Sequence, residues 1–127
     1  MARDNITIQT PVIDNTESVG VSVITAQAVT VANGITLKNA MECMNKTLFI
    51  VLTNTSSSAD STVTLKQGNR YPNTMLGDLD VVVAKSATTV LQLQDPSRFV
   101  NADGAIDIDF GAGFAGTIWA IGKKVGL

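Results

Sequence analysis

Short stretches in which apolar and polar residues alternate recur along the chain, separated by turn-forming residues, and this is the pattern of a β-sandwich or barrel. In "NITIQT", Ile6 and Ile8 share one face and Thr7 and Gln9 the other. "STVTLKQ" places Val63 and Leu65 inward against Thr62, Thr64 and Lys66, and "AIDIDF" sets Ile106, Ile108 and Phe110 opposite Asp107 and Asp109. "TLFIVLTN" is nearly all apolar, which predicts a central strand covered on both faces. "VSVITAQAVTVA" is long enough to bend or to be split between two sheets. Asn33–Gly34 then predicts a tight hairpin leading into "ITL", because this dipeptide tolerates positive φ at both central positions. "DLDVVVA" and "TTVLQLQ" around "KSA" read as a second hairpin, and a Gly-rich hairpin loop joins "AIDIDF" to the last strand, "GTIWAIG".

The connections are "KNAMECMNK", readable as a loop or a single helical turn, together with "TSSSAD", "GNRYPNTMLG" and "DPSRFVNADG". About eight strands result, with no helical period longer than one turn and no internal repeat. The expectation is one all-β domain over residues 1–127, an antiparallel β-sandwich of jelly-roll type, with an immunoglobulin-like sandwich as the alternative. Residues 1–12, closed by Pro11, fit either a strand of this sandwich or an N-terminal arm that adds a strand to a neighbour.

Composition supports this reading. Val, Ile and Thr number 39 of 127 residues and Glu only two, which favours pleated over helical backbone. Charged residues make up 16%, against about 25% in an average soluble domain, so part of the surface is expected to lie against neighbouring subunits. A net charge of −2 with scattered cations argues against nucleic acid as a partner. No apolar run approaches the ~20 residues of a membrane span, and the N-terminus lacks a signal-peptide core, so the expectation is a soluble, cytoplasmically made protein without membrane contact.

The chemistry-bearing motifs are few. "GAGFAG" (Gly111, Gly113, Gly116) has the spacing of a dinucleotide fingerprint, but the segment that follows is β-rich rather than helical, and no acidic residue follows to hold a ribose. Asp107 and Asp109 alternate on one strand and read as a solvated face. Asn101, Asp103, Asp107 and Asp109 lack the spacing of a calcium loop. Without histidine, neither Ser–His nor Cys–His catalysis can be assembled, and Cys43 between Met41 and Met44 reads as a buried apolar residue. The chain is therefore expected to be no enzyme, with no cofactor and no metal. Among six aromatics, Trp119 fits either core or an exposed anchor, while Tyr71 and Phe99 lie in turn-rich loops that suit partner contacts.

Several stretches, "ARDNITIQTPV", "QAVTVANGITLKNA", "NKTLFIVLTNTS", "YPNTMLGDL", "TTVLQLQDPSRFVNADGAIDIDF" and "GTIWAIGKKVGL", make the chain resemble small structural proteins of tailed-bacteriophage heads, the capsid decoration and auxiliary proteins. They are strand and turn sequences rather than chemical motifs. The resemblance implies a virion protein on the outer surface of a phage head, bound to the major capsid protein in many copies and stabilising the shell. It also implies a homo-oligomer, most often a trimer. Ile6, Ile8, Tyr71 and Phe99 are the candidate partner-binding residues. Other readings are a head–tail connector, tail or fibre subunit, or a carbohydrate-binding sandwich.

Overall fold

A computed structural model describes residues 3–9, 13–14, 19–20, 24–40, 47–69, 77–94 and 96–122. Its strands are β1 (Asp4–Thr7), β2 (Ile13–Asp14), β3 (Val19–Gly20), β4 (Gln27–Ala28), β5 (Ile35–Lys38), β6 (Leu48–Asn54), β7 (Ser61–Leu65), β8 (Leu79–Val83), β9 (Ala87–Leu93), β10 (Ile106–Phe110) and β11 (Gly116–Gly122). One sheet has the order β1-β5-β10-β7-β8 and the other β4-β11-β6-β9, while β2 and β3 form a separate two-stranded ribbon.

The eight strands from β4 to β11 are paired as a jelly roll. The first pairs with the last (β4 with β11), the second with the seventh (β5 with β10), the third with the sixth (β6 with β9) and the fourth with the fifth (β7 with β8), all antiparallel. The pairs β10–β7 and β11–β6 complete two four-stranded sheets. This is the double Greek key expected of the jelly-roll class, and not an immunoglobulin-like order. With β1 added, the sandwich has nine strands.

Inward side chains follow the alternation. Ile35, Leu37, Val63, Leu65, Ile106 and Ile108 from one sheet meet Leu48, Ile50, Leu52, Ile118 and Ala120 from the other, all fully buried. Phe110 and Phe114 pack with ring centroids 4.9 Å apart at the end of this core. Asn54 is also fully buried. Its amide donates to the Val83 carbonyl at 3.3 Å and its Oδ1 accepts from the Ser56 N–H at 3.1 Å, so a polar side chain ties the two sheets together without an orphaned group.

The three expected hairpins are each something else. β4 and β5, β8 and β9, and β10 and β11 lie in opposite sheets, so the turns at Asn33–Gly34, Lys85–Ser86 and Gly111–Ala115 are arches across the core. At Asn33–Gly34 both N–H groups bond the Thr30 carbonyl, at 3.0 and 3.2 Å, and only Gly34 has positive φ (71°). From β4 to β11, every pair of consecutive strands except β7 and β8 lies in opposite sheets, so a tight turn signal marks an end of a strand without making its neighbours partners. Within the expected long strand "VSVITAQAVTVA", the described residues, 24–32, form only the two-residue β4.

The third glycine of "GAGFAG" has a structural task. Gly116 (φ 151°) starts β11 where it passes between β4 and β6, and a Cβ placed there would lie 1.8 Å from the Thr53 carbonyl oxygen. Its own carbonyl accepts from the Val29 N–H at 2.9 Å.

Segment 3–9 belongs to this sandwich. β1 runs parallel to β5, with the Asp4 N–H on the Gly34 carbonyl and the Ile8 N–H on the Lys38 carbonyl. The chain then crosses to the other sheet, where the Gln9 N–H bonds Ala120 and the Gln9 carbonyl accepts from Gly122, along the part of β11 that the short β4 leaves open. The Gln9 side chain adds two bonds to the Thr25 backbone, at 3.0 and 3.1 Å. Residues 3–9 thereby close the side of the roll within the chain, with Ile8 as the plug.

Candidate interaction face

The two sheets divide the charge between them. The first carries Asp4, Lys38, Asp80, Asp107 and Asp109 within its strands, and the four strands of the second, β4, β11, β6 and β9, contain no charged residue.

On the first sheet the outward side chains satisfy one another. Asp107 and Asp109 straddle Arg3, whose Nη1 lies 2.5 Å from Asp109 Oδ1 and also donates to the Ile108 carbonyl at 3.0 Å. Asp107 accepts from Thr36 Oγ1 at 3.1 Å and from the Asn101 amide at 3.3 Å, and Thr64 Oγ1 donates to Asp80 at 2.7 Å. These carboxylates are occupied as clamps, and no group of three or more metal-ligating side chains occurs among the described residues. Beside them, Asp78 and Lys66 close the neck of the connection between β7 and β8, Nζ to Oδ2 3.0 Å. The Gln67 N–H, 2.7 Å from Asp78, and then Lys66 hold the Asp78 carboxyl below its ordinary range, and its bond to Asp78 raises Lys66.

The outward face of the second sheet is built differently. The pairings align Trp119, Val51 and Val90 in one row across β11, β6 and β9, with Ile121, Phe49 and Gln92 in the next and Thr117, Thr53 and Thr88 in the row beyond. Val90 is 56% exposed and Phe49 37%, while Val51 is covered by its neighbours to 8%. The alternation places Ile118 and Ala120 in the core, so Trp119 and Ile121 face outward and are half-buried. The result is an aliphatic and aromatic patch flanked by threonine and glutamine, with no carboxylate, amine or guanidinium on its strands. Such a surface gains by being covered.

β6 meets its sequence expectation in part. The continuous run "LFIVL" predicts burial on both faces; Leu48, Ile50 and Leu52 are covered on the inner face and Val51 on the outer, while Phe49 is not.

Three of the four residues expected to bind a partner, Ile6, Ile8 and Phe99, lie off this face. Ile8 (6% exposed) is the plug just described, Ile6 is half-buried against the core, and Phe99 (4%) lies in the core with the Arg98 guanidinium carbon 5.0 Å from its ring centroid. Phe99 follows a 3-10 turn at Pro96–Arg98 that folds this connection under the sheets, so its loop position carries no surface exposure. Ile8 and Phe99 are buried within the chain; among the described residues the exposed large apolar side chains are Phe49, Val90 and, at the far edge of the other sheet, Val82. Tyr71 and Cys43 lie outside the described residues. No protein-family model, curated protein or solved structure matches the chain.

Proposed function

We propose that this protein is a non-catalytic structural subunit, a decoration or cement protein that binds the outside of a phage head and stabilises the shell. The observation that carries the reading is the outward face of the β4-β11-β6-β9 sheet, where Trp119, Ile121, Phe49, Val51 and Val90 form an uncharged patch opposite a sheet that holds its own charges in clamps. A cement protein works by adding contact area across subunit boundaries, and it needs a rigid scaffold with one adhesive face rather than a reactive pocket. The jelly roll is such a scaffold and recurs in viral capsid and lectin domains, an analogy of fold that leaves the role to the face itself. The virion assignment comes from the resemblance of the strand and turn sequences to phage head proteins, and the major capsid protein is the partner it implies.

Copy number tests this reading. Quantitative mass spectrometry of purified particles is expected to find the chain in numbers comparable to the major capsid protein. A count matching a ring or a few fibres would assign it to a connector or tail, and absence from the particle would overturn the virion role.

Carbohydrate binding is the second reading, favoured by Trp119 and Phe49 sharing one outward face, since sugar rings stack on aromatics. It predicts binding of the isolated chain to a glycan array with loss of binding in Trp119→Ala.

A further inference from the structure

β9 is the exposed edge of the uncharged sheet. It pairs with β6 along its full seven residues, and no described strand pairs with its other side. Exposed edges are usually blunted by charge, proline, a bulge or brevity, because their free N–H and C=O groups invite another strand. The other three edges follow that rule. β8 carries Asp80, with Asp78 beside it; β1 carries Asp4 next to Arg3; β4 is two residues long. β9, "ATTVLQL", has none of these devices.

The residues of β9 are also self-complementary. Run antiparallel to a second copy about a two-fold axis at Val90, Ala87 meets Leu93, Thr89 meets Leu91 and Thr88 meets Gln92. The first two pairs join inward, half-buried residues and the third joins outward, exposed ones, so the register keeps every side chain on its own face. Leu91 and Leu93 pack against the core yet remain only partly buried, with no described strand flanking them on the edge side.

From these features we infer that two copies of the chain pair β9 to β9, joining two four-stranded sheets into one of eight. The pairing covers Leu91 and Leu93, places Val90 against its own counterpart, and runs the row Trp119–Val51–Val90 on through the partner's equivalent residues. Its two-fold geometry gives a dimer as the building block, where the resemblance to phage head proteins implies a trimer. It does not depend on the virion role, since the edge would pair in solution whatever the chain is attached to.

Sedimentation equilibrium and cysteine cross-linking together test it. The protein is expected to show a concentration-dependent species of twice its 13.3 kDa. Val90→Lys, which sets like charges opposite each other at the axis, is expected to weaken that species at least tenfold, and Val82→Lys on the other sheet to leave it unchanged. In a Cys43→Ser background, Val90→Cys places the two thiols on directly opposed residues, about 5 Å apart at Cβ. Thr88→Cys leaves them about 13 Å apart along the strand, four residues out of register. A cross-linker shorter than that distance should couple Val90→Cys at least tenfold faster than Thr88→Cys. A monomer up to about 0.1 mM, a trimer, equal cross-linking of the two variants, or a dimer indifferent to Val90→Lys would each overturn the inference.

Discussion

Arg3 and Asp109, from opposite ends of the chain, meet on the outer face of the charged sheet with Nη1 2.5 Å from Oδ1, and the same nitrogen donates to the Ile108 carbonyl. The contact fastens the start of the N-terminal segment over β10, while Gln9 fastens its end to β11. Because Asp109 is nearly half exposed, solvent weakens the ion pair, and Asp109→Asn should cost about 0.5–1 kcal/mol in chemical denaturation. The more specific sign is local. Hydrogen exchange at the Ile8 amide should accelerate in Asp109→Asn while the amides of β6 stay protected. Equal acceleration at both sites would mean that residues 3–9 open only with the whole fold.

Gly116 tolerates no side chain, because a Cβ there enters the Thr53 carbonyl. Gly116→Ala should therefore separate β11 from β6 at its start and lower stability by about 2–4 kcal/mol. Gly113 also has positive φ (92°) but open space around it, so Gly113→Ala should cost only about 1 kcal/mol. Similar costs at the two positions would remove the steric account of the glycine spacing.

The two faces of β6 separate stability from contact. Leu52 is fully buried between the sheets, and Leu52→Ala should cost about 2–5 kcal/mol through the cavity it leaves. Phe49 lies outward, and Phe49→Ser should change the melting temperature little while weakening attachment to the partner surface. A strongly destabilised Phe49→Ser would place that ring in the fold's own core.

Stability should be nearly independent of pH from about 5 to 8, since the chain has no histidine to titrate there. Asp78 has its folded pKa lowered, so its stabilising contribution is present above the unfolded value near 3.9 and disappears as pH falls through the lowered one. Lys66 is raised, so its contribution is present below about 10.4 and is lost as pH rises through the raised value. Thermal melts across this range should give a plateau with a fall on the acid side that is smaller in Asp78→Asn. A midpoint transition near pH 6.5 in the wild-type protein would contradict this.

Strand positions and facing were legible in the sequence because alternation is local. Val63, Leu65, Ile106, Ile108 and Phe110 point inward, Thr62 and Asp107 outward, as the pattern predicts. Pairing was not legible in the same way. Asn33–Gly34 and Lys85–Ser86–Ala87 carry hairpin-like turn chemistry, yet β5 pairs with β10 and β1, and β9 with β6. Those partners are chosen by how two sheets share one core, which no window around a turn contains. The interaction face was half legible. "LFIVL" announced a strand needing cover on both sides, but the row it forms with Trp119 and Val90 exists only once β11 and β9 flank it. The burial of Phe99 was not legible for a related reason, since its surrounding turn residues do not show that the loop folds inward.

Trp119 is the sole tryptophan of the chain and stands in the proposed contact face, so its fluorescence reports on that face alone. The most direct measurement is acrylamide quenching of Trp119 in the free protein and again after saturating binding to expanded shells. Binding should shift the emission to the blue and cut the quenching constant several-fold as the patch is covered. Full binding with unchanged emission and unchanged quenching would show that the protein attaches through another surface, and would contradict the role assigned to this face.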